Sequence, residues 1–101
     1  LRCDGVVPQF HLDGREGGPE DIKAMRGWLT EHGARPDLDV VSEGETPSDA
    51  PAAAAAVVQP WADAGCTWWL ETRWEMPHDS PERMTDVRQR ITAGPPRAPG
   101  P

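Results

Sequence analysis

The sequence has no tyrosine, one phenylalanine, two cysteines and no long apolar run among its 101 residues. Two cysteines without C-x-x-C spacing form neither a secreted disulfide framework nor a redox motif, so we expect Cys3 and Cys66 to be free, buried thiols within strands. No stretch approaches the roughly 20 apolar residues of a membrane span, and no secretion signal opens the chain. The sequence therefore predicts a cytoplasmic protein without a membrane partner.

Basic residues are also scarce, because 10 lysines and arginines stand against 17 acidic residues, which gives a net charge of −7. A phosphate backbone would be repelled by this chain, so we exclude nucleic acid as a partner. The three histidines have no metal-ligand spacing, and we predict no metal site. A dinucleotide-binding glycine motif, a P-loop and a nucleophile elbow are absent too.

What the sequence does contain is a regular alternation of strand-like and helix-like segments. In order, the patterns predict a strand over residues 3–10, a helix from Pro19 to Gly33, a strand over 37–43, a helix over 51–64, a strand over 66–70 and a helix over 81–93. The strand-helix units start about thirty residues apart, which is the length of one β-α unit. The predicted fold is α/β, with three consecutive β-α units and parallel strands over residues 1–94, followed by a disordered Pro-rich tail, 95–101.

Residues 66–70, Cys-Thr-Trp-Trp-Leu, are the centre of this prediction. They are uncharged and favour β structure, so we expect them to be the most buried strand, with Trp68 and Trp69 packed on opposite faces. The helix before them contains Pro60, which we expect to kink it. The helix after them begins with Ser80 as N-cap, and its apolar stripe is expected to face the core; the stripe consists of Met84, Val87 and Ile91.

Four segments carry a resemblance to a known family. They are Cys-Asp-Gly-Val-Val-Pro (residues 3–8), Asp-Val-Val-Ser-Glu-Gly-Glu-Thr-Pro (39–47), Pro-Trp-Ala-Asp-Ala-Gly-Cys-Thr-Trp-Trp-Leu-Glu (60–71) and Arg-Ile-Thr-Ala-Gly-Pro-Pro-Arg (90–97). In this order and spacing they resemble the C-terminal end of the luciferase-like monooxygenases, which are (β/α)8 barrels that use FMN or a deazaflavin. The resemblance implies that the three strands are the last three of eight and line one side of the cofactor mouth.

The resemblance implies the C-terminal part of a flavin- or deazaflavin-dependent oxidoreductase with a small-molecule substrate. The chain begins at Leu1 rather than Met. In the family, a Gly-Gly segment that helps to hold the cofactor phosphate comes shortly before the Asp-Gly strand; this chain starts after that point and also lacks the first five strands. We therefore expect a piece of a longer protein that is inactive alone. The alternative is a free-standing, non-enzymatic α/β module or gene remnant whose exposed sheet edges pair with another copy or chain.

In such a barrel, ligand-binding groups lie at the carboxyl ends of the strands and in the loops that follow. By resemblance, the residues that line the cofactor or substrate are Gln9, Glu43, Gly44, Thr46, Glu71 and Trp74. Glu43 and Glu71 end neighbouring strands, which would bring their carboxylates to one rim. The alternatives stay open: the carboxylates are solvated or pair with Arg73, residues 44–48 form a plain turn, and Trp74 lies in an ordinary loop. No catalytic residue is assigned.

Overall fold

The computed structural model describes residues 3–10, 17–73 and 79–96. Within these ranges three strands alternate with three helices: β1 (Gly5–Val6), α1 (Pro19–Glu31), β2 (Asp39–Gly44), α2 (Pro51–Ala64), β3 (Trp68–Glu71) and α3 (Pro81–Ala93). The strands form one parallel sheet in the order β1-β2-β3, with Gly5 opposite Asp39 and Val6 opposite Val40. The predicted α/β class with parallel strands is confirmed, and no described helix has the length and apolar character needed to cross a bilayer.

The helix ends follow local chemistry. At α1, the Gly18 N–H donates to the Asp21 carboxylate at 2.8 Å, and Gly33 just beyond the helix has a φ of 88°. At α3, the Ser80 hydroxyl accepts from the Arg83 N–H at 3.0 Å, as an N-cap does. α2 continues as one helix through Pro60, and a kink at this proline stays a prediction. Residues 97–101 of the predicted tail lie outside the described ranges.

The chain divides into two compact units, Leu1–Ser42 with Pro60–Leu70, and Glu43–Gln59 with Glu71–Pro101. The buried apolar residues of the first unit are Ile22, Leu38 and Val40. Those of the second are Ala54 and Ala55 of α2. Ile22 recurs with Met25 and Leu29 at the i, i+3, i+7 spacing of one helix face, and those two residues are half-buried. This spacing therefore marks the face of α1 that enters the core.

The most buried strand is β2, and the prediction that residues 66–70 hold this place is wrong. Val40 and Ser42 of β2 are 0% and 8% exposed, whereas Trp68 and Leu70 of β3 are 59% and 46% exposed. The sheet order explains the difference, because β2 lies between the other two strands and β3 forms an edge. Only one face of β3 is packed, where the Trp69 ring lies 6.0 Å from a tryptophan ring of α2.

The cysteines also differ from their prediction. Cys3 is exposed, and Cys66 is half-buried and precedes β3 rather than lying within it. The Cys66 thiol lies 3.3 Å from the Val40 carbonyl and 3.0 Å from the Trp68 carbonyl, so it has polar partners. The prediction of two buried strand thiols is therefore wrong.

β1 is shorter than the apolar run that predicted it. Only Gly5 and Val6 pair with β2, and Val7 is 61% exposed. Pro8 has no N–H to donate to a ladder, which is consistent with pairing that ends before it.

Gly65, between α2 and β3, has a φ of +114°, which side chains with a Cβ rarely adopt. A Cβ there would also lie 3.0 Å from Cδ of Arg26, whose guanidinium is held by the Leu38 carbonyl at 2.6 Å. We expect Gly65→Ala to lower the free energy of unfolding by about 2 kcal/mol, measured by urea denaturation.

Gly27 is the matched control for this prediction. It lies in the interior of α1, and a Cβ added there meets no atom within 4 Å. Gly27→Ala is therefore expected to stabilise the protein by about 0.5–1 kcal/mol, because alanine favours the helix. Equal effects of the two alanines would contradict the backbone conformation assigned to Gly65.

Arg35 forms a bidentate ion pair with Asp37 in the turn before β2. Its Nε and Nη2 donate to the two carboxylate oxygens at 2.7 and 2.8 Å. The hydrogen bond from Arg35 lowers the pKa of Asp37 from 3.8 to about 2. Because the folded-state pKa is the lower one, the contribution of this pair to stability is present above the usual pKa and is lost as the pH falls toward 2.

NMR titration of the Asp37 carboxyl carbon measures the lowered pKa of this side chain. The wild-type pKa is expected near 2, and in Arg35→Gln it is expected to return toward 3.8. Arg88→Gln removes an exposed arginine of α3 and serves as the control, with an Asp37 titration like that of the wild type. An unchanged Asp37 pKa in Arg35→Gln would mean that the pair does not persist in solution.

Candidate functional site

The residues predicted to line a ligand have very different surroundings. Gln9, after β1, and Glu43, near the end of β2, are exposed. Gly44 ends β2, and its carbonyl accepts from the Thr72 N–H at 2.8 Å. Trp74 lies outside the described residues. The predicted approach of Glu43 to Glu71 stays a prediction.

Thr46, in the loop after β2, is bound to Glu71 at the end of β3. The Thr46 N–H donates to one carboxylate oxygen of Glu71, and the Thr46 hydroxyl donates to the other, each at 2.6 Å. Thr46 is 3% exposed, so these bonds are largely shielded from water. Two short, charge-assisted bonds to one carboxylate hold the loop to the strand end.

Arg73 lies two residues beyond Glu71 and is 8% exposed. Its guanidinium forms ion pairs with Glu71 and with Asp86 of α3, and it donates to the Thr46 carbonyl at 3.0 Å. Burial lowers the pKa of Arg73, but its hydrogen bonds to Glu71 and Asp86 outweigh burial and raise the pKa above its ordinary value. The side chain therefore stays charged and joins the strand end, the loop and the helix.

Arg90, one turn beyond Asp86 on α3, completes this group. Its Nη1 donates to the Thr46 hydroxyl at 2.9 Å and to the Pro47 carbonyl at 3.0 Å, and its Nη2 donates to the Gly94 carbonyl. We call the five residues the Arg73 cluster; they are Thr46, Glu71, Arg73, Asp86 and Arg90.

The Arg73 cluster explains why the apolar stripe of α3 does not face the core. Met84 and Ile91 are 56% and 74% exposed, and no residue of α3 is buried. Asp86 and Arg90, at i and i+4, place their side chains on one face of the helix, and these two charges anchor it. The prediction that Met84, Val87 and Ile91 form a core stripe is therefore wrong, although the helix itself is confirmed.

Sequence reasoning identified two cluster members, Thr46 and Glu71, and named Arg73 as a possible partner of Glu71. It missed Asp86 and Arg90. Their i, i+4 spacing was a signal, but such pairs are common on solvent-exposed helix faces. Only the tertiary contacts show that this pair points inward.

Each side chain of the Arg73 cluster has hydrogen-bond or ion-pair partners within the protein. In the described part of the chain, no buried side-chain nitrogen or oxygen lacks a hydrogen-bond partner. Thr46 and Glu71 are bound to each other and to arginines, and both arginines donate to groups of the protein. The hydrogen bonds of the Arg73 cluster are thus formed within the protein, as in a contact that holds structural elements together.

Open depressions in the second unit lie along α3. One of about 550 Å³ is lined by Asp79, Ser80, Pro81, Arg83, Met84 and Val87. Another of about 480 Å³ is lined by Ser48, Asp49, Thr85, Arg88, Gln89, Thr92 and Ala93. The second depression includes Ser48, from the loop after β2 that was predicted to approach a ligand, whereas neither includes Gln9, Glu43, Gly44, Thr46 or Glu71. No described group of three or more His, Cys, Asp or Glu side chains could hold a metal ion.

In comparisons with known proteins, no family model, no curated protein and no solved structure matches this chain.

Proposed function

We propose that this chain supplies three consecutive strand-helix units of a cytoplasmic, luciferase-like oxidoreductase that uses FMN or a deazaflavin with a small-molecule substrate. The topology supports the proposal. The strands are parallel, lie in the sheet in their sequence order and are each followed by a helix, which is the unit that a (β/α)8 barrel repeats. The cofactor class rests on the four segments that resemble the family.

Within this proposal the contribution of the second unit is structural. The hydrogen bonds and ion pairs of the Arg73 cluster hold the loop after β2 to the end of β3 and to α3. The cofactor phosphate and the reacting atoms are then held by other parts of the whole protein. A flavin, when bound, supplies hydride and oxygen chemistry itself, so a supporting role is compatible with the reaction class.

A non-enzymatic α/β module is the second candidate. It is favoured by the internal hydrogen bonds and ion pairs of the Arg73 cluster, because a ligand site normally directs a few convergent polar groups toward its ligand. The two candidates differ in the size of the natural protein and in whether it carries a chromophore.

The natural gene product, captured with an antibody against this chain, distinguishes them. The first candidate requires a protein of roughly 250 residues that is yellow or fluorescent with flavin or deazaflavin. A colourless product of 11.0 kDa would overturn it in favour of the second.

The 101-residue chain by itself is expected not to bind FMN. Titration followed by flavin fluorescence should show no saturable quenching at roughly 10 μM, which is about 7 kcal/mol of binding free energy. Tight one-to-one binding would show that the described side chains rearrange to accept a flavin.

A further inference from the structure

β1 is an end strand of the described sheet, and neither of its two residues is buried. We propose that β1 is a releasable strand, which detaches from β2 while the rest of the first unit stays folded, and that Arg35 is the latch that holds it closed. The inference concerns the first unit and does not rest on the proposed function.

Few contacts hold β1 to the sheet. Its described pairing consists of Gly5 opposite Asp39 and Val6 opposite Val40. Gly5 is exposed, Val6 is half-buried, and Val7, which follows the strand, is 61% exposed. A segment with little buried apolar surface and few backbone hydrogen bonds opens at a free energy well below that of global unfolding.

The Arg35 side chain links the residue before β1 to the turn before β2. Its Nη1 donates to the Asp4 carboxylate at 2.6 Å, while its other nitrogens hold Asp37. The Arg35 and Asp4 side chains are 48% and 94% exposed. An ion pair in water is weak and leaves no buried charge when it breaks, so this contact can open and close without disturbing the core.

The closed position of β1 also depends on a glycine. A Cβ at Gly5 would lie 3.0 Å from the carbonyl oxygen of Asp39 and 3.1 Å from its Cβ. The carbonyl belongs to the backbone of β2, so a larger residue at position 5 would displace β1 rather than β2.

The other side of β2 has separate partners. The Val40 N–H donates to the Thr67 hydroxyl at 2.9 Å, and the Val40 carbonyl accepts from the Thr67 N–H at 2.8 Å. The Asp39 N–H instead donates to the Asp4 carbonyl at 3.0 Å. Release of β1 therefore frees the Asp39 N–H and leaves that of Val40 bonded, although the two residues are adjacent.

Hydrogen exchange of these two amides, measured by NMR on the 101-residue chain, tests the release. The Asp39 N–H is expected to have a protection factor at least about tenfold lower than that of the Val40 N–H. Low concentrations of urea should leave the Asp39 value nearly unchanged, because a local opening exposes little surface. Equal protection and equal urea dependence of the two amides would show that β1 opens only with the whole unit.

Asp4→Asn tests the latch, because it removes only the arm of Arg35 that reaches β1. It should lower the protection factor of the Asp39 N–H about two- to fivefold and leave that of Val40 unchanged. The Asp37 pKa should stay at about 2 in this variant, since the Arg35–Asp37 pair remains. Arg88→Gln, which removes an exposed arginine of α3, is the control and should change neither amide.

Gly5→Ala tests the close approach of the two strands. It should lower the protection factor of the Asp39 N–H at least about fivefold, again without an effect on Val40. The latch is disproved if Asp4→Asn protects Asp39 as well as the wild type does. An equal loss of protection at Asp39 and Val40 in either variant would also overturn the proposal, because it would mean that β1 cannot leave without the rest of the sheet.

Discussion

Replacing Ile22 with alanine is expected to lower the free energy of unfolding by about 3 kcal/mol, whereas replacing the larger Trp68 should cost less than about 1 kcal/mol. The Ile22 side chain is fully buried, so its truncation leaves a cavity in the first unit. Trp68 is 59% exposed and most of its surface stays in water in the folded chain. Size alone would rank the two residues in the opposite order.

Urea denaturation followed by far-UV circular dichroism measures both variants without relying on tryptophan fluorescence. A cost for Trp68→Ala as large as that for Ile22→Ala would show that Trp68 is buried within the chain.

Arg73→Met is expected to destabilise the second unit by about 3 kcal/mol. Removing the Arg73 guanidinium leaves Glu71 and Asp86 without their shared cation. Breaking a buried ion pair by deleting one partner is costly, because the other charge stays buried. The Glu71 and Asp86 side chains are 22% and 25% exposed, so water compensates part of the loss and the effect lies at the lower end of the usual range.

Arg88→Met is the control for Arg73→Met, because it removes the same charge from an exposed position on α3. It should change the free energy of unfolding by no more than about 0.5 kcal/mol. Combining Arg73→Met with Asp86→Leu should recover part of the stability, since one unpaired carboxylate is gone. If Arg73→Met were as mild as Arg88→Met, the cluster would be a surface feature rather than the anchor of α3.

The helices were the most predictable part of this protein, because their ends are encoded locally. Pro19, Pro51 and Pro81 each stand at a first helical position, and Ser80 caps α3 as predicted. Strand boundaries were shifted by one or two residues at β2 and β3 and by more at β1. A strand is defined by its pairing partner, which lies far away in sequence, so local composition predicts its existence better than its ends.

Burial could not be predicted from composition. Residues 66–70 have the apolar, β-favouring character of a buried strand, but their position at the sheet edge leaves Trp68 and Leu70 exposed. The apolar stripe of α3 has the helical period of a core face. The side chains of α3 that contact Arg73 and Thr46 are instead Asp86 and Arg90. In both cases the pattern identified the element and did not identify its neighbours.

The sequence by itself determined the α/β class, the order of the elements and the helix ends, since each depends on periodicity and capping within a few residues. Only the tertiary structure decided which strand is central, which face of α3 turns inward and what the predicted rim residues do. Thr46 and Glu71 were chosen as ligand-lining residues by their place after parallel strands, and that place was right. Their hydrogen bonds are formed with each other and with Arg73, because a carboxylate enclosed beside an arginine is stabilised by pairing with it.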